Sequence, residues 1–422
     1  MPMYVMNIFL LPDTLIDDIH IALNCFWWGD GFKANPVRWC SWEKMCFLKF
    51  RGGLGFRHFG VFNRSLLAKQ VWRLITNPTT LAVKVLKAHY FPRSSFFDAN
   101  VGYRPSYVWR SFIAVKELVR KGCKWNIGDG HRVNVWEDYW LEDHRRLGPK
   151  PDNCQVTYVR DLLNDEGDDW NRELLMSLFP MNIVNKITTC FINRWSPDTL
   201  YWHNSSRGLF SSKSAYYLEL ESSQHIVQNI SEESANLLRA IWNAKVPNKV
   251  KLFLWRAWKN YLPTINNLQA RGLSLTSVSC THCDRMGEDM IHVLFKCPST
   301  KQVWDRCNFG RFYDMDGMIT LYDFCRVILN KFPMAWGNFL MILWGLWTRR
   351  NKKFHGQLNE KDAYVEVMSK FLLLDYHKAN QRNLRLHELK LQLDGPSQMA
   401  TTSSLIVMHH GKKSLERLDG VL

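Results

Sequence analysis

Apolar residues recur every three or four positions through most of the chain, a spacing that predicts amphipathic α-helices. The predicted helices span residues 14–29, 62–75, 81–90, 108–119, 236–242, 249–261, 336–347 and 363–393. The helix at 336–347 is intensely apolar, but Arg349 and Arg350 follow it before the roughly 20 apolar residues of a membrane span are reached. We therefore expect a buried helix there and no membrane partner.

The spacing changes to every second residue in the middle of the chain. Apolar and polar residues alternate over 124–127 and again over 133–135, on either side of Gly128-Asp129-Gly130. Because glycine and aspartate tolerate the positive φ of tight turns, this pattern predicts a β-hairpin. A second hairpin is predicted over 199–210. The predicted fold class is α+β, mostly α-helical with small antiparallel β-hairpins.

Composition narrows the class of protein. Of 422 residues, 46% are hydrophobic and 14% are aromatic, which is enough to build two or three cores. The formal net charge of +16 favours an anionic partner, with nucleic acid first and a merely basic surface as the alternative. Eleven cysteines, an odd number dispersed along the chain, do not suit a disulfide framework. With no secretory signal at its start, the sequence indicates a reducing intracellular compartment, nuclear or cytoplasmic.

The densest cluster of metal-ligating residues is spaced C-x2-C-x8-H-x4-C and comprises Cys280, Cys283, His292 and Cys297. Zn²⁺ binds three thiolates and one imidazole tetrahedrally, and four protein ligands leave no open position for catalysis. We therefore predict a structural Zn²⁺ site that pins a helical C-terminal lobe. His282 is an alternative fourth ligand, and three buried free cysteines are the alternative to a metal site.

Motifs on both sides of this cluster carry a family resemblance. They include Phe26-Trp27-Trp28-Gly29, Gly52-Gly53-Leu54-Gly55-Phe56 and residues 39–42, 67–74, 105–111, 210–216, 241–250, 253–256, 262–264, 292–297 and 303–304. This ordered set resembles the reverse transcriptase zinc-binding domain of plant LINE-type (non-LTR) retrotransposon polyproteins, together with the segment that joins it to the polymerase. The resemblance covers most of residues 1–355 and strengthens the prediction of zinc.

The resemblance does not extend to the catalytic parts of such polyproteins. Polymerase catalysis in them requires paired aspartates on a Tyr-x-Asp-Asp turn, which this sequence lacks, since Asp168-Asp169 follows Gly167. Residues 356–422 contain no strand-borne carboxylate set of the kind that a ribonuclease H domain needs. The sequence also shows no nucleophile elbow, phosphate loop or open metal site. It therefore predicts no catalytic residues and a protein that is not an enzyme.

Changes in periodicity and composition, together with this resemblance, divide the sequence into predicted regions. These are a helical post-polymerase connector at 1–122, a mixed region with β-hairpins at 123–221, a polar linker at 222–234, the zinc-binding domain at 235–308, C-terminal helices at 309–394 and a loose tail at 395–422. Two lobes are expected, one on each side of the linker.

The leading functional prediction is a non-catalytic, retrotransposon-derived module that binds RNA or DNA. Lysine and arginine bind phosphates by releasing counterions, and aromatic side chains stack on bases. The predicted contacts are Lys245, Lys249, Lys251, Arg256, Arg349, Arg350, Lys352 and Lys353. For the basic run at 349–353, the alternative is a cationic helix end that complements the helix dipole. For the whole chain, the alternative is a structural or protein-interaction scaffold without nucleic-acid binding.

Overall fold

A computed structural model describes residues 3–29, 37–222, 230–275, 278–310, 320–357 and 362–394. The chain divides into two compact units: unit 1 is Met1–Phe47 with Gly55–Val227, and unit 2 is Leu48–Leu54 with Gln228–Leu422. The segment Leu48–Leu54 lies within the predicted connector at 1–122 but is part of unit 2. The predicted tail at 395–422 and most of the predicted linker lie outside the described residues.

Unit 1 is built mainly from helices. Its elements are α1 (Met3–Met6), α2 (Asp13–Trp28), α3 (Trp42–Cys46), α4 (Phe59–Thr76), α5 (Leu81–Tyr90), α6 (Tyr107–Ile113), α7 (Lys116–Gly122), β1 (Cys123–Asn126), α8 (Arg172–Leu178), α9 (Met181–Thr188), β2 (Thr199–Trp202) and α10 (Ser212–Ser222). Helix α4 packs against α10, α7 and α6, and it fully buries Leu67, Ala68 and Val71. These residues follow the 3.6-residue period, which explains why the sequence predicts this helix well.

The sheet of unit 1 is antiparallel, as predicted, but its pairing differs from both predicted hairpins. Strand β1 pairs with β2, with Cys123 opposite Trp202 and Asn126 opposite Thr199. Residues 133–135, which were predicted to pair with β1, form hydrogen bonds with a different segment. Val135 N–H donates to the Thr157 carbonyl, and Val159 N–H donates to the Val133 carbonyl. The prediction of a hairpin over 124–135 is therefore wrong. Of the predicted hairpin at 199–210, the first strand forms and Trp202 N–H donates to the Gly208 carbonyl at 2.9 Å, but residues 208–210 form no second strand.

A buried carboxylate explains the change of pairing. Asp198 is 2% exposed, and it accepts backbone N–H bonds from Gly128 at 2.7 Å, Gly130 at 3.0 Å and Arg132 at 2.8 Å. The Gly-Asp-Gly turn is thus wrapped around the residue that precedes β2. A carboxylate that accepts several backbone N–H bonds stabilises such a turn strongly, because charge-assisted hydrogen bonds are stronger than hydrogen bonds between neutral groups.

Unit 2 is helical within the described residues. Its helices are α11 (Glu232–Asn243), α12 (Asn248–Trp258), α13 (Ile265–Ala270), α14 (Pro298–Arg306), α15 (Leu321–Lys331), α16 (Trp336–Phe354) and α17 (Asp362–Asp394). Short 3-10 turns form at Lys49–Arg51 and Pro333–Ala335, and a π-helical turn forms at His292–Lys296.

Helix α16 forms the centre of unit 2. It packs against α12, α15, α17 and the π-helical turn, and it fully buries Leu340, Met341 and Leu343. The predicted buried helix is thereby confirmed, and it extends to Phe354. No helix among the described residues is both long enough and apolar enough to cross a bilayer.

Candidate metal centre

The first two candidate ligands lie on a tight turn that begins at Cys280. Cys280 N–H donates to the Arg285 carbonyl at 2.8 Å, and Asp284 N–H donates to the Cys280 carbonyl at 2.9 Å. Ser279 and Met286 close the turn as an antiparallel bridge. The backbone N–H of His282 also points at the Cys280 sulfur, 3.5 Å away. An N–H bond of this kind favours the thiolate form of the cysteine that accepts it.

The other two candidate ligands lie at the ends of the π-helical turn. Cys297 N–H donates to the His292 carbonyl at 2.8 Å, a five-residue bond that spans the turn and joins its two ends. Pro298 has no N–H for the next carbonyl, that of Val293, and the Thr300 hydroxyl donates to it at 3.0 Å instead. The Trp304 indole donates to the Leu294 carbonyl at 2.9 Å. Side chains of α14 therefore stabilise a turn that the backbone alone would leave incompletely bonded.

Cys297 also begins α14. It is the N-cap residue, and Pro298 occupies the first turn of the helix, where a missing N–H costs no hydrogen bond. The hydrogen bond with Cys280 lowers the pKa of the Cys297 thiol most, and the Ser299 backbone N–H, which bonds to the same sulfur, lowers it further. A helix N-terminus favours negative charge, so this position is suited to a thiolate.

The four candidate ligands converge. The ligand atoms of Cys280, Cys283, His292 and Cys297 all lie within 4.8 Å of one another. Cys283 Sγ and His292 Nε2 are 3.3 Å apart. Four ligands that each bond one Zn²⁺ at about 2.0–2.3 Å must lie near one another in this way. Three thiols and one imidazole are also the soft, nitrogen–sulfur type of ligand set that zinc prefers. The residues present therefore fit a closed zinc site.

The thiols interact with one another as well. The hydrogen bond between Cys280 and Cys297 raises the pKa of Cys280 to about 12, with a further contribution from burial. The same bond lowers the pKa of Cys297. One thiol thus shares its proton with a neighbouring sulfur. A cation in the cluster would replace that proton, as metal binding to cysteine releases protons.

A buried ion pair supports the loop that carries these ligands. Glu288 lies between Cys283 and His292 in sequence and is fully buried, and Arg350 of α16 is 2% exposed. Arg350 Nε donates to the two Glu288 carboxylate oxygens at 3.1 and 3.2 Å. Ile265 N–H donates to the same carboxylate at 3.3 Å. Glu288 therefore connects the start of α13 and the C-terminal end of α16 to the ligand loop.

Arg349 makes a second connection from α16 to the site. It is 4% exposed, and its Nη2 donates to the Ser299 carbonyl at 3.4 Å, two residues after the ligand Cys297. Arg349, Arg350 and Leu346 line the same small cleft as Cys280 and Cys297. His282 also lines this cleft, and burial followed by the charges of Arg349, Lys353 and Arg350 lowers its pKa to about 4. His282 is not among the four converging residues, so His292 supplies the imidazole of the cluster.

The burial of Arg349 and Arg350 argues against their predicted role as phosphate contacts. A guanidinium that is 2% exposed and bonded to a buried carboxylate cannot reach a nucleic-acid backbone without breaking the fold. This buried role could not be predicted from the basic run itself, because the partner of Arg350 is 62 residues away. Glu288 is correspondingly the residue that sequence reasoning missed. Its position between two ligands was the available signal.

The other predicted contacts lie nearer the surface. Lys245 and Lys249 are exposed, while Lys251, Arg256, Lys352 and Lys353 are half-buried. Lys249 Nζ lies 4.3 Å from the Trp344 ring centroid, and Lys251 Nζ donates to the Trp242 carbonyl at 2.8 Å. Burial lowers the pKa of both lysines. The structure thus retains these six cations as candidates and places the three of α12 together along one helix.

Comparison with known proteins bears on this site. Residues 210–304 match the family described as zinc-binding in reverse transcriptase. An uncharacterized mitochondrial protein of Arabidopsis thaliana is 43% identical over 150 residues, which are 35% of this chain and 97% of that protein. The matched family region includes all four converging residues and ends at Trp304, inside α14.

A longer relative matches almost the whole chain. It is an Arabidopsis thaliana protein named "Putative ribonuclease H protein", 27% identical over 399 residues, which are 91% of this chain. The match covers 63% of that protein, so the chain spans less than two thirds of the length of this relative.

Proposed function

Since the chain belongs to the plant retrotransposon-derived proteins that carry the zinc-binding region of reverse transcriptase, we propose that it is a non-catalytic module that binds nucleic acid. In this proposal, Cys280, Cys283, His292 and Cys297 hold one structural Zn²⁺. The convergence of these four ligand atoms within 4.8 Å is the observation that carries the zinc assignment.

The proposed zinc site stabilises the fold, because its ligands join two separate segments of unit 2. When bound, the ion supplies a fourfold cross-link between the Cys280 turn and the start of α14. The Glu288–Arg350 ion pair then ties the same loop to α16, the central helix of unit 2. Four protein ligands occupy every position of a tetrahedral ion, so this site binds no substrate. The proposed role of the metal ion is therefore to stabilise the folded state and not to catalyse a reaction.

Charge supports nucleic acid as the partner. The chain carries 55 lysines and arginines against 39 aspartates and glutamates. In unit 2 the proposed phosphate contacts are Lys245, Lys249, Lys251, Arg256, Lys352 and Lys353, none of which is fully buried. A basic surface binds the phosphate backbone through counterion release, largely without regard to base sequence.

The ribonuclease H name of the longer relative suggests an enzyme as a second candidate. Ribonuclease H chemistry requires a cluster of carboxylates that holds divalent metal ions. Within the described residues, the one group of potential metal ligands found close together is the cysteine and histidine set. We therefore favour binding without catalysis for this chain.

A salt-dependent titration tests the proposed function. The full chain, loaded with zinc, is titrated against fluorescent single-stranded RNA, single-stranded DNA and duplex DNA at two salt concentrations. Binding should weaken steeply as salt rises, because each phosphate contact contributes about 0.7 to 0.9 to the slope of log K against log salt. Absence of binding at low salt would instead support the protein-interaction scaffold.

The double variant Lys352→Gln plus Lys353→Gln separates phosphate contact from stabilisation of the helix end. If both lysines touch phosphates, the slope on duplex DNA should fall by about 2. An unchanged slope, with the fold intact, would show that these lysines only complement the dipole of α16.

A further inference from the structure

The turn at Lys49–Arg51 belongs to unit 2, although about 180 residues of sequence separate it from α11, the first helix of that unit. Its carbonyl at Gly52 accepts a hydrogen bond from the Trp255 indole of α12 at 3.0 Å, and this bond is buried. The Arg239 guanidinium of α11 lies over the Phe50 ring at 5.3 Å. The turn is therefore fixed to both α11 and α12.

Gly52 permits this close approach. Its φ is +84°, a conformation that favours glycine, and it ends the turn. A Cβ atom at this position would lie 3.0 Å from Lys259 Nζ and 3.1 Å from the Trp258 ring. The backbone of the turn thus lies close to the C-terminal end of α12, and a side chain at position 52 would force its neighbours to shift.

This packing gathers cations from distant parts of the chain. Lys49 Nζ lies 4.6 Å from the Trp242 ring centroid, and Lys251 Nζ bonds to the carbonyl of the same Trp242. Arg51, two residues after Lys49, is exposed, and Lys259 approaches Gly52. Burial lowers the pKa of Lys251, and the positive charge of Lys49 lowers it further. Like charges repel one another, and an anion bound between them would offset that repulsion.

Three of these cations have no acidic partner within the described part of the chain. Lys49, Arg51 and Lys251 form no ion pair there, whereas Arg239 on α11 pairs with Glu232 at 2.8 Å. Several cations side by side suit a ligand that carries evenly spaced negative charges. The phosphodiester backbone of a nucleic acid has that charge pattern.

We propose that the Lys49–Gly52 turn and the adjoining face of α12 form a surface that binds the backbone of a nucleic-acid strand. Its contacts are Lys49, Arg51, Lys251 and Lys259. This surface deepens the function proposed above and rests on it, since it states where in unit 2 the strand lies. It adds three contacts that the sequence did not predict, because two precede α12 by about 200 residues.

A charge-matched pair of variants tests the surface. The first is Lys49→Gln, Arg51→Gln and Lys251→Gln; the second is Lys84→Gln, Lys87→Gln and Arg93→Gln, three exposed cations of unit 1. Both remove three positive charges. Each is titrated as the full, zinc-loaded chain against a fluorescent single-stranded RNA of 20 nucleotides over a range of salt. The first should bind at least about tenfold more weakly, with a salt slope lower by about 2, and the second should match wild type within about twofold.

A third variant changes no charge. Gly52→Ala inserts a methyl group where Lys259 and Trp258 already lie, so the turn should shift away from α12 while every cation remains. It should bind RNA several-fold more weakly with its zinc content unchanged. This result would show that the position of the cations matters, beyond their number.

The outcomes separate the two proposals. If wild type binds RNA but the first triple variant binds equally well, or if both triple variants weaken equally, this surface is wrong and the proposed function stands. If wild type does not bind RNA or DNA at low salt, the proposed function and this surface are both wrong.

Discussion

At the scale of single residues, the Glu288–Arg350 pair shows that an arginine from a basic run in the sequence can be buried in the core of the fold. The pair is buried, and Arg350 also lies against the rings of Phe354 at 4.4 Å and Trp347 at 5.2 Å. Removing two charges from water is costly, so such a pair is stable only when its geometry is good and its remaining polar atoms are bonded. Here Ile265 N–H and Asn351 complete those bonds.

Replacing one member of the pair should be severe. Arg350→Met leaves the Glu288 carboxylate buried and uncompensated, which should lower the free energy of unfolding of unit 2 by about 3–5 kcal/mol. Hydrogen exchange of the α16 amides in the full chain measures this change. The double variant Glu288→Gln plus Arg350→Met removes both charges and should recover a large part of the loss. Equal destabilisation by the single and double variants would contradict this account of the pair.

The residues of the site differ in how well the sequence reveals them. Thiols and imidazoles at metal-binding spacing are informative by themselves, because few other roles require that combination. The spacing therefore identified the four residues that converge. A basic run has several possible roles, and only the fold decides among them. Arg350 was predicted to be a phosphate contact because it lies in a basic run, and the buried pair was missed because Glu288 is distant in sequence.

At the scale of secondary-structure elements, the positions of the helices and of the two strands were predicted from the sequence, but the pairing of the strands was not. Predicted helices such as 81–90 and 249–261 correspond closely to α5 and α12, because their hydrophobic period depends only on local residues. Helix α12 nonetheless ends at Trp258, and the predicted helix over 108–119 is two helices, α6 and α7. The partner of β1 is more than 70 residues away, and a buried Asp198 determines it. Local alternation cannot report such a partner.

The contact between α7 and β2 gives a test at this scale. A Cβ at Gly122 would lie 2.0 Å from the ring of Trp202, a fully buried side chain. Gly122→Ala should therefore destabilise unit 1 by about 1–3 kcal/mol, as overpacked cores do. Chemical denaturation of the full chain measures the effect.

Gly337→Ala is the matched control, since Gly337 is helical and its nearest neighbours would be 3.8 Å from the new methyl group. This change should be neutral or stabilising, because alanine favours helix. If Gly122→Ala were as harmless as Gly337→Ala, the described packing of Trp202 would be incorrect.

At the scale of the whole molecule, each unit has its own hydrophobic core. The core of unit 1 centres on residues such as Trp109 and Trp202, and that of unit 2 on α16. The candidate zinc ligands all belong to unit 2. The metal should therefore stabilise one unit and leave the other nearly unchanged.

Chelation tests this separation. Removing zinc from the full chain should increase hydrogen exchange across 236–308, and most strongly around the Cys280 turn and α14. Exchange in α4 and α7 of unit 1 should stay the same. A uniform loss of protection over both units would show that they do not fold independently.

The central claim is that four residues of unit 2 hold one structural Zn²⁺, and native mass spectrometry of the full chain tests it most directly. The chain is purified without chelator, as wild type, as Cys280→Ser plus Cys283→Ser, and as the control Cys25→Ser plus Cys154→Ser, which alters two half-buried thiols of unit 1. Wild type and control should each carry one zinc ion per chain, and the Cys280 and Cys283 variant should carry none. Zinc-free wild type, or zinc retained without those two thiols, would contradict the claim.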